Sequence, residues 1–246
     1  MRNITAVILL SNILILFNVC ASAQTIELKT EHYPPYNIDL SPAEISTKKK
    51  ISGSSTEIVR ELMKRSGYKY NMELLPWKRA YRQAEEELMT GVFSTTRTEA
   101  REDLFKWVGP IAENNYVLFT SEKSNIAINS FEDIKRYTVG VYGGSAAAGI
   151  LEKENIFAEI VPRDHLNALK LERQRIDLWF TGRLQGLYLA KNNGVTGLKE
   201  IYKTPSRYMY IAFNLKTSDT VIDKLNKTLK EMESDGFVES VYDKYR

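Results

Sequence analysis

Apolar residues along this chain recur at two spacings, and each change of spacing marks the start of a new element. Residues 25–30 alternate, with Ile26 and Leu28 apolar, as a half-buried strand does. The next segment, Glu31-His32-Tyr33-Pro34-Pro35-Tyr36, carries two prolines that stop any strand ladder and force an extended or turning loop. Beyond Gly53 the spacing lengthens to that of a helix. Ser54 and Glu57 stand three apart as a capping box, Ile58, Val59, Leu62 and Met63 share one face, and Gly67 ends the run. Tyr68, Tyr70, Met72 and Leu74 alternate again, and Pro76 opens a helix that puts Trp77, Ala80, Tyr81, Ala84 and Leu88 on one side. This βαβα order predicts an α/β lobe.

The pattern then restarts. Ser130 and Asp133 cap a short helical turn, residues 137–142 read as a buried strand, and Gly143-Gly144-Ser145 leads into a helix beginning at Ala146. Residues 158–161 and 177–180 are predicted strands, with helices at 165–173 and 184–191. A strand at 208–213 and a helix carrying Ile222, Leu225, Leu229 and Met232 close the chain with a short helix at 237–242. The C-terminal part is too small for a core of its own and would complete the first lobe. The expected division is residues 24–119 with 208–246 as lobe 1 and 120–207 as an inserted lobe 2, with crossings near 117–121 and 208–212.

The N-terminus stands apart from both patterns. Arg2 precedes an uncharged apolar run over residues 4–19 and then Ala21-Ser22-Ala23, the pattern of a secretory signal peptide cleaved after Ala23 (residues 1–23). The run is shorter than the roughly 20 residues that span a bilayer. Phe17-Asn18-Val19 before Cys20 lacks the small residues of lipoprotein processing. The sole cysteine leaves with the signal, so the exported chain has no disulfide and rests on its hydrophobic core. A soluble periplasmic protein is expected.

Charge narrows the choice of partner. A net charge of +3, from 34 Lys and Arg against 31 Asp and Glu, is too balanced for nucleic-acid binding, and Lys48-Lys49-Lys50 reads as a solvated loop. His32 and His165 are far apart in sequence and lack the companions of a metal site, and no cofactor motif occurs. Loops that leave the carboxyl ends of strands are where open α/β sheets collect small ligands. Tyr33 and Tyr36 leave the first strand and could present ring faces to a solute or pack the lobe surface. Trp77 could wall a cleft or fill the core, whereas Trp107 and Trp179 read as packing residues.

Five segments carry a family likeness: Tyr33-Pro34-Pro35-Tyr36, residues 53–58, Leu75-Pro76-Trp77-Lys78-Arg79-Ala80, Arg97-Thr98-Glu99-Ala100-Arg101 with residues 105–111, and residues 139–145. In this order the chain resembles the bacterial extracellular solute-binding protein family 3. The resemblance implies a two-lobe periplasmic-binding-protein-like α/β fold of type II, each lobe a mixed sheet flanked by helices, with a two-strand hinge. It implies a monomer that takes a small polar solute, such as an amino acid, and delivers it to an inner-membrane ABC permease. A periplasmic dehydratase-like enzyme on the same fold and a sensory protein that docks on a receptor are the competing readings.

The resemblance also assigns residues. Arg101, in Thr98-Glu99-Ala100-Arg101, would grip a solute carboxylate with its guanidinium fork, with Arg97 as the rival and Ser94 and Thr96 assisting. Gly144-Ser145 would offer amides and a hydroxyl from the second lobe, although Ala146 stands where a second hydroxyl is common. The family usually carries an aspartate for the solute's ammonium in the stretch matching Thr181-Gly182-Arg183, and Gly182 holds that position here. Glu31, at the end of the first strand, could take over part of that role, or the solute is not an α-amino acid at all, and Arg183 could favour a second acidic group or simply be solvated.

Overall fold

The computed structural model describes residues 25–41 and 50–245; the signal peptide expected at residues 1–23 lies outside these residues. Strand β1 (Ile26–Thr30) is followed by a ribbon of β2 (Ile38–Asp39) and β3 (Ile51–Ser52), helix α1 (Ser54–Ser66), β4 (Tyr70–Leu74), α2 (Trp77–Glu86), β5 (Thr90–Thr96), a 3-10 turn (Glu99–Leu104) and β6 (Phe105–Asn114). The middle of the chain contains β7 (Tyr116–Ser121), a 3-10 turn (Phe131–Arg136), β8 (Val139–Tyr142), α3 (Ala146–Lys153), β9 (Ala158–Val161), α4 (His165–Glu172), β10 (Leu178–Gly182), α5 (Arg183–Asn192) and β11 (Leu198–Lys203). Strand β12 (Arg207–Asn214) and helices α6 (Asp219–Ser234) and α7 (Phe237–Tyr245) complete it.

Two mixed sheets result, in the orders β4-β1-β5-β12-β6 and β11-β7-β10-β8-β9. In the first, β1 runs parallel to β4 and β5 while β12 is antiparallel to β5 and β6. In the second, β8 runs parallel to β9 and β10 while β7 is antiparallel to β10 and β11. These are two α/β lobes. Residues 117–121 and 208–212, expected as the crossings, are strands inside the second and first sheets. The chain passes between sheets at Asn115 and at residues 204–206, since a strand paired along its length cannot also bridge the gap.

Packing explains why the C-terminal segment returns. Ile58, Val59, Leu62 and Met63 of α1 and Leu225, Leu229 and Met232 of α6 bury the same apolar face in one core with Ile26, Leu28 and Phe213. In the second lobe every residue of β10 is buried, because Leu178 and Phe180 face one apolar cluster and Trp179 the other. Covered on both faces, the strand is apolar along most of its length rather than alternating.

Two local readings are corrected. Helix α1 is entered through Gly53, not through a capping box: Gly53 has φ 110°, and a Cβ there would lie 2.3 Å from the Tyr36 carbonyl oxygen. The amides of Ser54 and Ser55 donate to the carbonyls of Pro35 and Tyr36 instead, and Glu57 accepts from Tyr245 and Lys244 of α7. Leu88 lies beyond the end of α2 and is 59% exposed, so it leaves the apolar face that Trp77, Ala80 and Ala84 bury. The Ser130–Asp133 capping box forms as expected. No helix among the described residues is long and apolar enough to cross a membrane.

Because the last helices complete the first core, truncating their buried face should act on the whole lobe. Leu225→Ala is expected to lower stability by about 2–5 kcal/mol in urea denaturation. A loss below ~1 kcal/mol would mean that α6 is an accessory to a core formed without it.

Candidate functional site

The loops at the strand ends of the two lobes meet. Tyr142, at the end of β8, donates its hydroxyl proton to Glu31 Oε2, just past the end of β1, at 2.9 Å. Trp77 Nε1 and Arg101 Nη2 both donate to the Gly144 carbonyl, at 2.8 and 3.2 Å. Lys153 of α3 pairs with Glu99 at 2.6 Å. All four contacts join one lobe to the other, so the cleft is shut.

Inside the closure lies a small space walled by Tyr33, Tyr116, Tyr142, Asp164, Thr181 and Gln185. Asp164 is a carboxylate that the sequence reading missed. It precedes α4 where a capping residue belongs, but its backbone is already helical (φ −65°, ψ −27°) and its side chain makes no cap. It accepts instead from Thr181 Oγ1 at 2.6 Å, Trp179 Nε1 at 2.8 Å and Asn167 Nδ2 at 3.0 Å. Burial pushes its pKa up, and these three donors oppose the shift. Burial also raises the Glu31 carboxyl, to about 8, with Asp164 adding to the shift while the Tyr142 bond and Arg101 oppose it. Neither acid makes an ion pair with a described residue. Both open onto a cavity of about 450 Å³ beside Trp77, Tyr142 and Gln185. His32 and His165 line it as well, yet no group of three His, Cys, Asp or Glu able to hold a metal occurs among the described residues.

Gly182 is explained by packing. A Cβ there would lie 2.8 Å from the Tyr33 hydroxyl and 2.7 Å from Asn114 Oδ1, and Asn114 donates to that same hydroxyl at 3.1 Å. The tyrosine occupies the place where an aspartate side chain would stand.

The structure separates the remaining candidates. Arg101 stacks on the rings of Trp77 and Tyr81, at 5.5 and 5.3 Å, and donates to the carbonyls of Thr96 and Gly144, making no ion pair with a described residue. Arg97 pairs with Glu102 and stacks on Trp107 and Tyr210, on a different face. Trp77 is both core and cleft, 6% exposed and bonded across the closure. Tyr33 lines the enclosed space, whereas Tyr36 stacks beside it and donates to the Glu113 carbonyl, packed on Ala112 and Met209. Ser94 sits at a bulge with φ 62° and donates to Asn37, and Thr96 shares a hydrogen bond with Tyr116. Ser145 caps α3, accepting from the Ala148 amide and donating to the Tyr142 carbonyl, so both its hydroxyl bonds stay within its own lobe. Arg183 is bound to Glu200 at 2.7 Å.

On the Arg101 side, a second cavity of about 510 Å³ is lined also by Ser145, Lys153 and Arg207, and the Arg207 Nε is buried without a hydrogen-bond partner.

The family profile described as "Bacterial extracellular solute-binding proteins, family 3" matches residues 31–246. The chain belongs to this family. Its sequence is 25% identical over 204 residues to the L-cystine-binding protein TcyA of Bacillus subtilis (strain 168), covering 80% of this chain and 73% of that one. Among solved structures it superposes on a histidine kinase sensor domain with similarity to periplasmic binding proteins (TM-score 0.80, 16% identity, 90% of this chain and 96% of that one). It superposes also on the arginine-, lysine-, histidine-binding protein ArtJ of Geobacillus stearothermophilus (TM-score 0.76, 18% identity, 90% and 95%). Both structures share the two-lobe α/β fold described above.

The geometry gives two expectations. Gly182→Asp should not supply a better cation site but should destabilise by roughly 1–3 kcal/mol, because Tyr33 and Asn114 must move; unchanged denaturation midpoints would contradict this packing. Glu31 binds its proton more tightly when folded, so its contribution to stability is greatest below pH ~4.5 and is lost as pH rises towards about 8. Glu31→Gln, which cannot ionise, should therefore be more stable than wild type at pH 8 by on the order of 1–3 kcal/mol, the difference shrinking in acid. Parallel stability curves for the two proteins between pH 4.5 and 8 would exclude a buried Glu31.

Proposed function

We propose that this family 3 protein captures an amino acid, or a close relative bearing both an amine and a carboxylate, between its lobes in the periplasm and passes it to an ABC permease. The observation that carries this reading is the pair Glu31 and Asp164: two carboxyls, one from each lobe, lining the same cavity of about 450 Å³, with no cation among the described residues paired to either. A buried carboxylate is costly unless it is paired, and a ligand ammonium would provide the partner. Asp164 then performs from the loop before α4 the role that the Gly182 position cannot, while Glu31 supplies the second acceptor. Tyr33, Tyr116 and Tyr142 offer hydroxyls and ring faces, which also favour a cation. Arg101, already without a carboxylate partner, receives the solute's carboxylate if its bond to Gly144 is exchanged for the ligand.

Membership in a family of binding proteins supports capture rather than turnover, and the relatives point the same way. Cystine, arginine, lysine and histidine, the solutes in their names, all carry an ammonium and a carboxylate.

Isothermal calorimetry over the standard amino acids and their deaminated analogues tests the reading. The amino acid that binds best should lose about tenfold or more on Glu31→Gln, while its analogue without nitrogen changes little. A ligand that needs no amine and ignores the substitution would refute the assignment.

A further inference from the structure

One charged group of the closure has no task in this account. Arg207, the first residue of β12, lines the cavity of about 510 Å³ with Arg101 and Lys153. Its Nε is buried without a hydrogen-bond partner, and its guanidinium makes no ion pair with any described carboxylate. The other cations of that wall are engaged. Lys153 is neutralised by Glu99, and Arg101 is stacked on two rings and spends two N–H groups on the carbonyls of Thr96 and Gly144. Glu152, the remaining acid of the wall, makes no ion pair with Arg207. A buried donor on a permanently charged group is expensive to leave unmatched, and guanidinium is the group best matched to a carboxylate.

The charges of the cleft are also sorted by place. Glu31 and Asp164 line the cavity on the Trp77 side, Arg101 and Arg207 the cavity on the other, and the contact of Trp77 and Arg101 with the Gly144 carbonyl stands between them. We propose that Arg207 is a specificity-determining residue that grips the anionic end of the solute, and that the solute is a chain-like zwitterion whose amine and carboxylate lie several bonds apart. This inference rests on the amine-and-carboxylate reading above and adds to it the anchor and the spacing. A solute with both charges on one carbon would fill the acidic side and leave Arg207 unmatched. A longer one satisfies both sides at once.

The probes are glycine, β-alanine, γ-aminobutyrate and ε-aminocaproate, each with its primary amide, titrated by calorimetry into wild type, Arg207→Gln, Arg207→Lys and Arg101→Gln. Affinity should rise beyond glycine, and the tightest member should be preferred to its amide by about tenfold or more. Arg207→Gln should remove most of that preference while leaving amide binding, and hence the amine contacts, in place. Should that variant fail to fold, Arg207→Lys carries the test: it keeps the charge but loses the Nε donor, and should weaken the carboxylates and not the amides. A preference that survives at Arg207 and vanishes in Arg101→Gln overturns the inference and leaves the amine-and-carboxylate reading standing. Glycine binding more tightly than the longer members, or α-amino acids binding where none of the longer series does, overturns the spacing. If neither this series nor any standard amino acid binds, the underlying reading falls together with the inference.

Discussion

Closing two lobes over an acid forces a choice that the rest of the cleft reflects: the carboxyl must hold a proton, find a donor, or find a cation. Glu31 sits where the lobes touch and takes the first two options together, held near its own protonation point and bonded to Tyr142 of the opposite lobe. Asp164 takes the second, with three donors from Thr181, Trp179 and Asn167. Neither solution is final, since each acid keeps acceptor capacity toward the cavity that both line. A cation entering that space competes with a proton at Glu31, so uptake of a cationic group and closure are linked through the same carboxyl.

The second lobe presents a carboxylate to the cleft even though Gly182 carries none. At Gly182 the strand end lies against the Tyr33 hydroxyl and Asn114 Oδ1, which any side chain there would have to displace. On the far side of α4 in the chain, the loop before that helix brings Asp164 to the same wall, held by the indole of Trp179 and the hydroxyl of Thr181, both on β10. The strand whose end lacks the expected acid therefore positions a different one. Trp179 is in consequence more than filler: fully buried in the core, it is also one of the donors that aim the carboxyl.

The periodic elements were legible because burial repeats along them. The faces of α1 and α6 could be read from Ile58, Leu62, Leu225 and Leu229 alone, and β9 was read with its observed ends. What was misread depended on single contacts. Ser54 and Glu57 have capping-box spacing, but the Pro35 and Tyr36 carbonyls reach the helix first and leave that task to Gly53. Tyr142, Asp164 and Arg207 carry no local signature, since their neighbourhood is created by strand order. Pairing of β10 beside β8 and β7 brings Asp164 to Tyr142 and Tyr116, and the return of β12 to the first sheet sets Arg207 opposite α3. Arg97 and Arg101, four apart, could not be ranked from sequence, because only the Glu102 partner and the Trp77 ring distinguish them.

Arg101 shows how one residue can belong to both the closure and the site. Its guanidinium bonds a carbonyl of its own lobe at Thr96 and one of the other lobe at Gly144, and Trp77 joins it on the same Gly144 oxygen. A carbonyl is a weaker acceptor for guanidinium than a carboxylate, which carries a full negative charge and can take two parallel N–H bonds from the fork. In the proposed reading a solute carboxylate exchanges for the Gly144 oxygen on Arg101, while the Trp77 bond and the Lys153–Glu99 pair keep the lobes together. Closure is thus spread over contacts of which the ligand replaces only one. The empty and loaded forms can share nearly the same closed geometry, and discrimination between solutes then rests on what they exchange for the Gly144 oxygen and for the proton on Glu31, and on whether they reach the unmatched Nε of Arg207.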